Sequence, residues 1–123
     1  MKISPIAKYT KAVFITAELL AELSIQKAFK EAEIEHASNP YYLYAIGECA
    51  RSNTIKSVYQ TARLELKKAF GSFGVESFNR ILEFSHQRAV KTEKECLEKG
   101  LSRKIAETSA YLARLSAMES FPG

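Results

Sequence analysis

The positions of the three prolines constrain the fold of this chain more than any other feature. Pro5, Pro40 and Pro122 leave two long stretches, residues 6–39 and 41–121, without proline. Proline inside a helix removes a backbone hydrogen bond and clashes with the preceding turn, so these stretches can form long helices. All 14 acidic residues are glutamate, which, unlike aspartate, loses little freedom in a helix interior. We therefore predict an all-α protein.

Capping residues predict where these helices begin and end. Ser4 and Asn39 each precede a proline, which is typical of a helix start. Glycines at the ends of residues 71–74 indicate a turn, Gly100 indicates a helix end, and Ser102 can cap a last helix. We expect helices at about 5–36, 41–51, 54–70, 75–99 and 103–119.

These short connections predict one domain, residues 1–123, folded as an antiparallel bundle of four or five helices. The number depends on residues 41–70, which can form one helix or two. Ser52, Asn53 and Thr54 can cap a new helix, but they can equally lie on an exposed face.

Apolar residues predict the buried faces. The first helix has two apolar stripes, one through Val13, Leu20 and Leu23 and another that begins at Phe14 and Ala21, so we expect several neighbours or self-association as a dimer. The seam from Val75 to Cys96 is apolar only in its first half, so packing should loosen towards its end. In the last helix we expect Ile105, Thr108, Leu112, Leu115 and Met118 to face inward.

We expect neither a leader nor a membrane span. Its most apolar window, residues 12–25, contains Glu18 and Glu22, and a span needs about 20 apolar residues. Cys49 and Cys96 are far apart and fit no metal-binding spacing, so we expect reduced thiols and a cytoplasmic location.

Both histidines follow a glutamate by three residues, at Glu33–His36 and Glu83–His86, which is the spacing used by di-iron sites in helical bundles. With Phe78 at 0°, however, Glu83 falls at about 140°, away from the apolar seam. We therefore attribute the spacing to chance and keep a metal-binding bundle as a second alternative. The chain has no aspartate to orient a histidine and no G-x-S-x-G or phosphate-binding loop, so we expect neither an enzyme nor a cofactor.

Positive charge is concentrated in the middle of the chain, where residues 51–104 carry 12 basic and 6 acidic residues. Such a face is either solvated or binds an anion. The alternative function is therefore a nucleic-acid-binding regulator, in which residues 61–87 form a helix-turn-helix and Asn79 and Arg80 reach the bases. The shared basic face consists of Lys56, Arg63, Lys67 and Lys68.

Three tyrosines lie within Tyr41–Tyr44. On a helix they spread over about 300°, so at least one is expected at the surface, where tyrosine often contributes to binding. We predict a non-catalytic helical protein that binds another macromolecule, as a regulator, adaptor or inhibitor, through protein–protein contacts. The predicted surface consists of Tyr41, Tyr44, Lys56, Arg63, Lys67 and Lys68.

Overall fold

The computed structural model describes residues 3–36 and 40–122, without the side chains of residues 32–36, Pro40 and Tyr42. Over this part of the chain the protein consists of helices and no strands. They are α1 (Ser4–His36), α2 (Pro40–Glu98) and α3 (Arg103–Glu119). The all-α prediction is confirmed, but the predicted four or five helices are not, since three are found. Asn39, a predicted helix cap, lies outside the described residues.

The predicted interruption near residues 51–54 does not occur, and α2 continues through it. The hydroxyl of Thr54 donates to the hydroxyl oxygen of Ser24 on α1, at 2.8 Å, instead of capping a new helix. Ser52 and Asn53 are exposed. Residues 41–70 are therefore part of one helix, because the Thr54 hydroxyl that could have capped a new helix is hydrogen-bonded to α1 instead.

The predicted turn at residues 71–74 is a kink inside α2. Gly71 has φ 66° and ψ −151°, a conformation that is nearly restricted to glycine. Gly74 allows the chain to approach itself, since a Cβ there would lie 2.8 Å from the Leu66 carbonyl oxygen and 2.9 Å from Cβ of Phe70. The chain therefore bends sharply here.

The predicted boundary between α2 and α3 is confirmed. Gly100 has φ 82°, and its N–H donates to the Leu97 carbonyl at 3.0 Å, while the N–H of Leu101 donates to the Cys96 carbonyl at 3.1 Å. This pair of bonds is a Schellman motif, which satisfies the last carbonyls of a helix. Ser102 then caps α3 by accepting from the N–H of Ile105 at 3.2 Å.

The chain divides into two compact units. One, which we call the hairpin unit, is Val13–Leu64, and the other, the terminal unit, combines Met1–Ala12 with Glu65–Gly123. The hairpin unit contains 5 basic and 6 acidic residues, a net charge of −1, and the terminal unit contains 13 and 8, a net charge of +5. The predicted single domain stays a prediction.

In the hairpin unit, α1 and α2 run antiparallel. Arg51 on α2 donates to both carboxylate oxygens of Glu18 on α1, at 2.9 and 3.1 Å, and further along the pair Gly47 lies against Phe29. The hydrogen bond to Glu18 raises the pKa of Arg51, so the guanidinium is held in its charged form. This ion pair joins the two helices at the side of their apolar contact.

The second apolar side of α1 is not covered within the hairpin unit. Leu19, Leu20 and Leu23 are 64%, 42% and 60% exposed, whereas Phe14 and Ala17 on the other side are buried. The fold therefore buries Phe14 of one predicted stripe and Val13 of the other, but it leaves Leu20 and Leu23 exposed. The predicted dimer stays a prediction.

In the terminal unit, the predicted α2 seam is confirmed. Phe78, Leu82 and Ser85 are buried, while Thr92 and Cys96 further along are half-buried. The packing therefore loosens towards the end of α2, as its composition predicts.

The predicted inward face of α3 is largely wrong. Ile105 and Leu112 are 51% and 59% exposed, and Thr108 is exposed as well; Leu115 is half-buried and Met118 is buried. Helix α3 instead packs with its small residues, because alanines allow two helix axes to approach closely. Its buried residues are Ala106, Ala110, Ala117 and Met118.

Candidate binding surfaces

One exposed face of α2 in the hairpin unit carries four of the predicted site residues. Taking Tyr41 as the origin and about 100° per residue, Tyr44 lies at about 300°. Lys56 and Arg63 lie at about 60° and about 40°. These four residues, which we call the tyrosine face, therefore share one sector of the helix about 120° wide and about 33 Å long.

The two tyrosines are the large aromatic side chains of this face, and both are exposed. Tyr41 and Tyr44 are 86% and 69% exposed. Because they are three residues apart, their rings lie one turn from each other on the same side. Tyr42, the third tyrosine of the segment, has a side chain outside the described residues. At least two tyrosines thus reach the surface, as predicted.

The basic end of the tyrosine face is formed by Lys56 and Arg63. Lys56 is exposed, whereas Arg63 is half-buried and already interacts with another group of the chain. Glu48 and Ser52, both exposed, lie between the two ends of the face. The surface therefore combines aromatic rings, a carboxylate and cations, a mixture that suits a protein partner.

The other two predicted basic residues, Lys67 and Lys68, belong to the terminal unit. Both are exposed, and Lys68 donates to Glu65, one turn earlier, at 3.4 Å. Such an exposed pair stabilises a helix only slightly, so Lys68 can exchange this partner for another at little cost.

The residues proposed to reach DNA bases are both exposed on α2 of the terminal unit. Asn79 already interacts with another group of the chain. The guanidinium carbon of Arg80 lies 5.6 Å from the ring centroid of Phe121, a cation–π distance. The nucleic-acid alternative stays a prediction.

Arg80 is part of a row of side chains that sequence reasoning missed. The rings of Phe84 and Phe121 meet edge to face, with centroids 5.3 Å apart and an interplanar angle of 72°. The guanidinium of Arg88 lies 5.4 Å from the centroid of Phe84. The spacing of residues 80, 84 and 88 places them on one side of α2, but only the fold brings Phe121 to them.

Beside this row lies a pocket of about 470 Å³. Arg88 and Phe84 border it on α2, and Ser116 faces them from α3. Within the part of the chain that the structure describes, Arg88 has no carboxylate partner. The other residues that line the pocket are Thr92, Ala113, Ala117, Ser120 and Pro122.

The Glu-x-x-His pairs do not form a metal site among the residues that the structure describes. Glu83 accepts a hydrogen bond from Gln87 at 2.7 Å and is exposed, which agrees with its predicted outward orientation. His86 is exposed as well. The side chains of Glu33 and His36 lie outside the described residues. Among the side chains that are described, no group of three or more His, Cys or Glu residues is placed to hold a metal ion.

Neither cysteine is buried in the structure. Cys49 is exposed and Cys96 is half-buried, and both are free thiols. In residues 3–36 and 40–122, none of the helices has the length and apolar character needed to cross a membrane.

The described residues thus form two candidate binding surfaces, the tyrosine face and the pocket beside Arg88. In comparisons with protein families, curated proteins and solved structures, nothing matched this chain.

Proposed function

We propose that this chain is a non-catalytic helical protein that binds another protein through its tyrosine face and acts as a regulator, adaptor or inhibitor. The observation that carries the proposal is the exposure of Tyr41 and Tyr44, 86% and 69%, one turn apart on a continuous helix. Large exposed aromatic side chains gain apolar contact when a partner covers them, and tyrosine is enriched among the residues that dominate binding energy.

The energy available from these rings supports a specific contact. An aromatic side chain buries about 150–250 Å², and apolar burial contributes about 25 cal/mol per Å². Because the two side chains are 86% and 69% exposed, covering both of them contributes about 6–10 kcal/mol before the entropic cost of association is subtracted. The two residues alone do not make an interface, but they can form its centre, with the rest of the face acting as its rim.

The charge of the surface indicates the kind of partner. Lys56 and Arg63 at one end favour an acidic patch on the partner. The hairpin unit as a whole has a net charge of −1, which gives it no long-range attraction for a polyanion. A folded protein with an acidic patch beside an apolar groove therefore fits the tyrosine face better than nucleic acid does.

The test begins with the partner. The full chain is used to capture proteins from its native host, each captured candidate is purified, and its affinity is measured by calorimetry. The double variant Tyr41→Ala/Tyr44→Ala should weaken binding at least about 30-fold, since two central tyrosines contribute roughly 2 kcal/mol or more together. Gln60→Ala, an exposed neutral residue of the same helix, is the matched control and should leave the affinity unchanged.

Two results contradict the proposal. If every purified partner binds the double variant as tightly as the unaltered chain, while circular dichroism shows equal helix content, the tyrosine face is not the binding surface. If duplex DNA binds instead, and its affinity falls steeply between two salt concentrations, the contact is with phosphates and the nucleic-acid alternative is correct. Binding centred on tyrosines should depend on salt only weakly.

A further inference from the structure

We propose that the pocket beside Arg88 binds a small carboxylate that carries a compact apolar body, such as an aromatic or short aliphatic acid. The pocket lies entirely within the terminal unit, so this inference does not rest on the tyrosine face or on a protein partner. Its volume of about 470 Å³ is within the range of about 300–1,000 Å³ that small-molecule sites occupy.

The space exists because one wall is built from small residues. Helix α3 contributes Ala113, Ser116 and Ala117, whose side chains extend only one or two heavy atoms beyond the backbone. Opposite them, α2 contributes the longer side chains of Arg88 and Phe84. These two side chains contact each other, with the guanidinium carbon 5.4 Å from the ring centroid. None of the described side chains therefore fills the gap between the two helices at this level.

The charge of the lining selects an anion. Arg88 is the one ionisable residue among the described residues that border the pocket, and it has no carboxylate partner in the described part of the chain. The carbonyl end of α3 nearby contributes about half a negative charge. Glu119 at that end is already paired with Lys11. The full positive charge of Arg88 therefore outweighs the helix end.

The shape and chemistry of the lining favour a carboxylate with an apolar body. A guanidinium can donate two parallel N–H bonds to one carboxylate. The hydroxyl of Ser116 can donate to it as well, whereas that of Ser120 already donates to the Ser116 carbonyl at 2.9 Å. Phe84, Ala113 and Ala117 offer apolar contact to the remainder of the ligand. A purely inorganic anion would leave that apolar surface uncovered.

The test uses benzoate and hexanoate as carboxylate probes, with benzamide as the neutral analogue of benzoate. Each is titrated into the full isotope-labelled chain, and the backbone amide signals of residues 84–92 and 113–120 are followed by NMR. At least one carboxylate should shift these signals in a saturable manner. Benzamide should bind about tenfold more weakly than benzoate or not at all, since it lacks the charge-assisted bonds.

Matched variants distinguish Arg88 from its surroundings. Arg88→Gln should weaken carboxylate binding about tenfold or more while leaving any benzamide affinity unchanged. Arg80→Gln removes the equivalent guanidinium at Phe121, outside the pocket, and should have no effect. Ser116→Leu, at an exposed position, fills the space and should block all three probes.

The proposal is overturned if neither benzoate nor hexanoate shifts these signals up to its solubility limit. It is also overturned if Arg88→Gln, with unchanged helix content, binds the carboxylates as tightly as the unaltered chain, or if Arg80→Gln weakens binding to the same extent. These results are independent of the protein-capture experiment, because the tyrosine variants lie in the other unit.

Discussion

The kink in α2 makes Gly74→Ala an informative substitution. In an ordinary helix, replacing glycine by alanine stabilises the helix by about 1 kcal/mol, since alanine has the higher helix propensity. At Gly74, however, the new Cβ would lie 2.8 Å from the backbone oxygen of Leu66 and 2.9 Å from Cβ of Phe70, closer than any ordinary contact. Relieving these contacts requires the backbone to move.

The magnitude follows from these opposing effects. Inserting a methyl group into a well-packed region costs about 1–3 kcal/mol, and contact with a backbone atom places Gly74→Ala in the upper part of that range. After subtracting the helix gain of about 1 kcal/mol, we expect the free energy of unfolding to fall by roughly 2 kcal/mol. Urea unfolding followed by far-UV circular dichroism measures this directly.

Gly47→Ala is the matched control, since it is the same change in the same helix. Its Cβ would lie too close to the outer edge of the Phe29 ring, at 2.9 and 3.0 Å, and in ordinary contact with Ile25 at 3.6 Å. The half-buried Phe29 side chain can turn aside. The strain should therefore cancel the propensity gain to within about 0.5 kcal/mol. If Gly74→Ala lowers the free energy of unfolding no more than Gly47→Ala does, residue 74 does not approach the Leu66 carbonyl this closely at the kink.

Three further substitutions test the packing within the two units. Arg51→Ala should lower the free energy of unfolding by about 1 kcal/mol, because the Arg51 side chain is 38% exposed and solvent screens its ion pair with Glu18. The loss should be smaller at high salt, which screens the pair further. Urea unfolding at two salt concentrations measures it, and a loss that does not change with salt would contradict this account. In α3, Leu112→Ala should change the free energy of unfolding by less than about 0.5 kcal/mol, while Ala110→Leu should lower it by about 1–3 kcal/mol. Thermal unfolding of both variants measures the difference, and the reverse order would show that the alanine side of α3 does not pack.

Local chemistry made several features predictable. The positions of the prolines and the use of glutamate in place of aspartate predicted an all-α protein, because each affects how easily the local backbone forms a helix. Ser102 and Gly100 predicted the junction of α2 and α3, since a cap and a left-handed glycine act within one turn. The outward orientation of Glu83 also followed from helical periodicity alone.

Other features depended on which surfaces meet. Thr54 has the chemistry of a helix cap, but its bond to Ser24 shows that a residue 30 positions away decides its role. Likewise, periodicity showed that α3 has an apolar row containing Ile105 and Leu112, yet the alanine side is buried. A hydrophobic pattern predicts which residues prefer burial, but it does not include how closely two helix axes approach.

The sequence by itself determined that this chain is helical, where its last junction lies, and that tyrosines reach the surface, because backbone propensity, capping and periodicity are local properties. Only the tertiary structure decided that α2 continues through residue 54, which aligned Tyr41 with Lys56, and that the rings of Phe121 and Phe84 meet edge to face beside a pocket. The physical reason is that close packing is a property of pairs of surfaces, and the position of the partner surface is not contained in either segment alone.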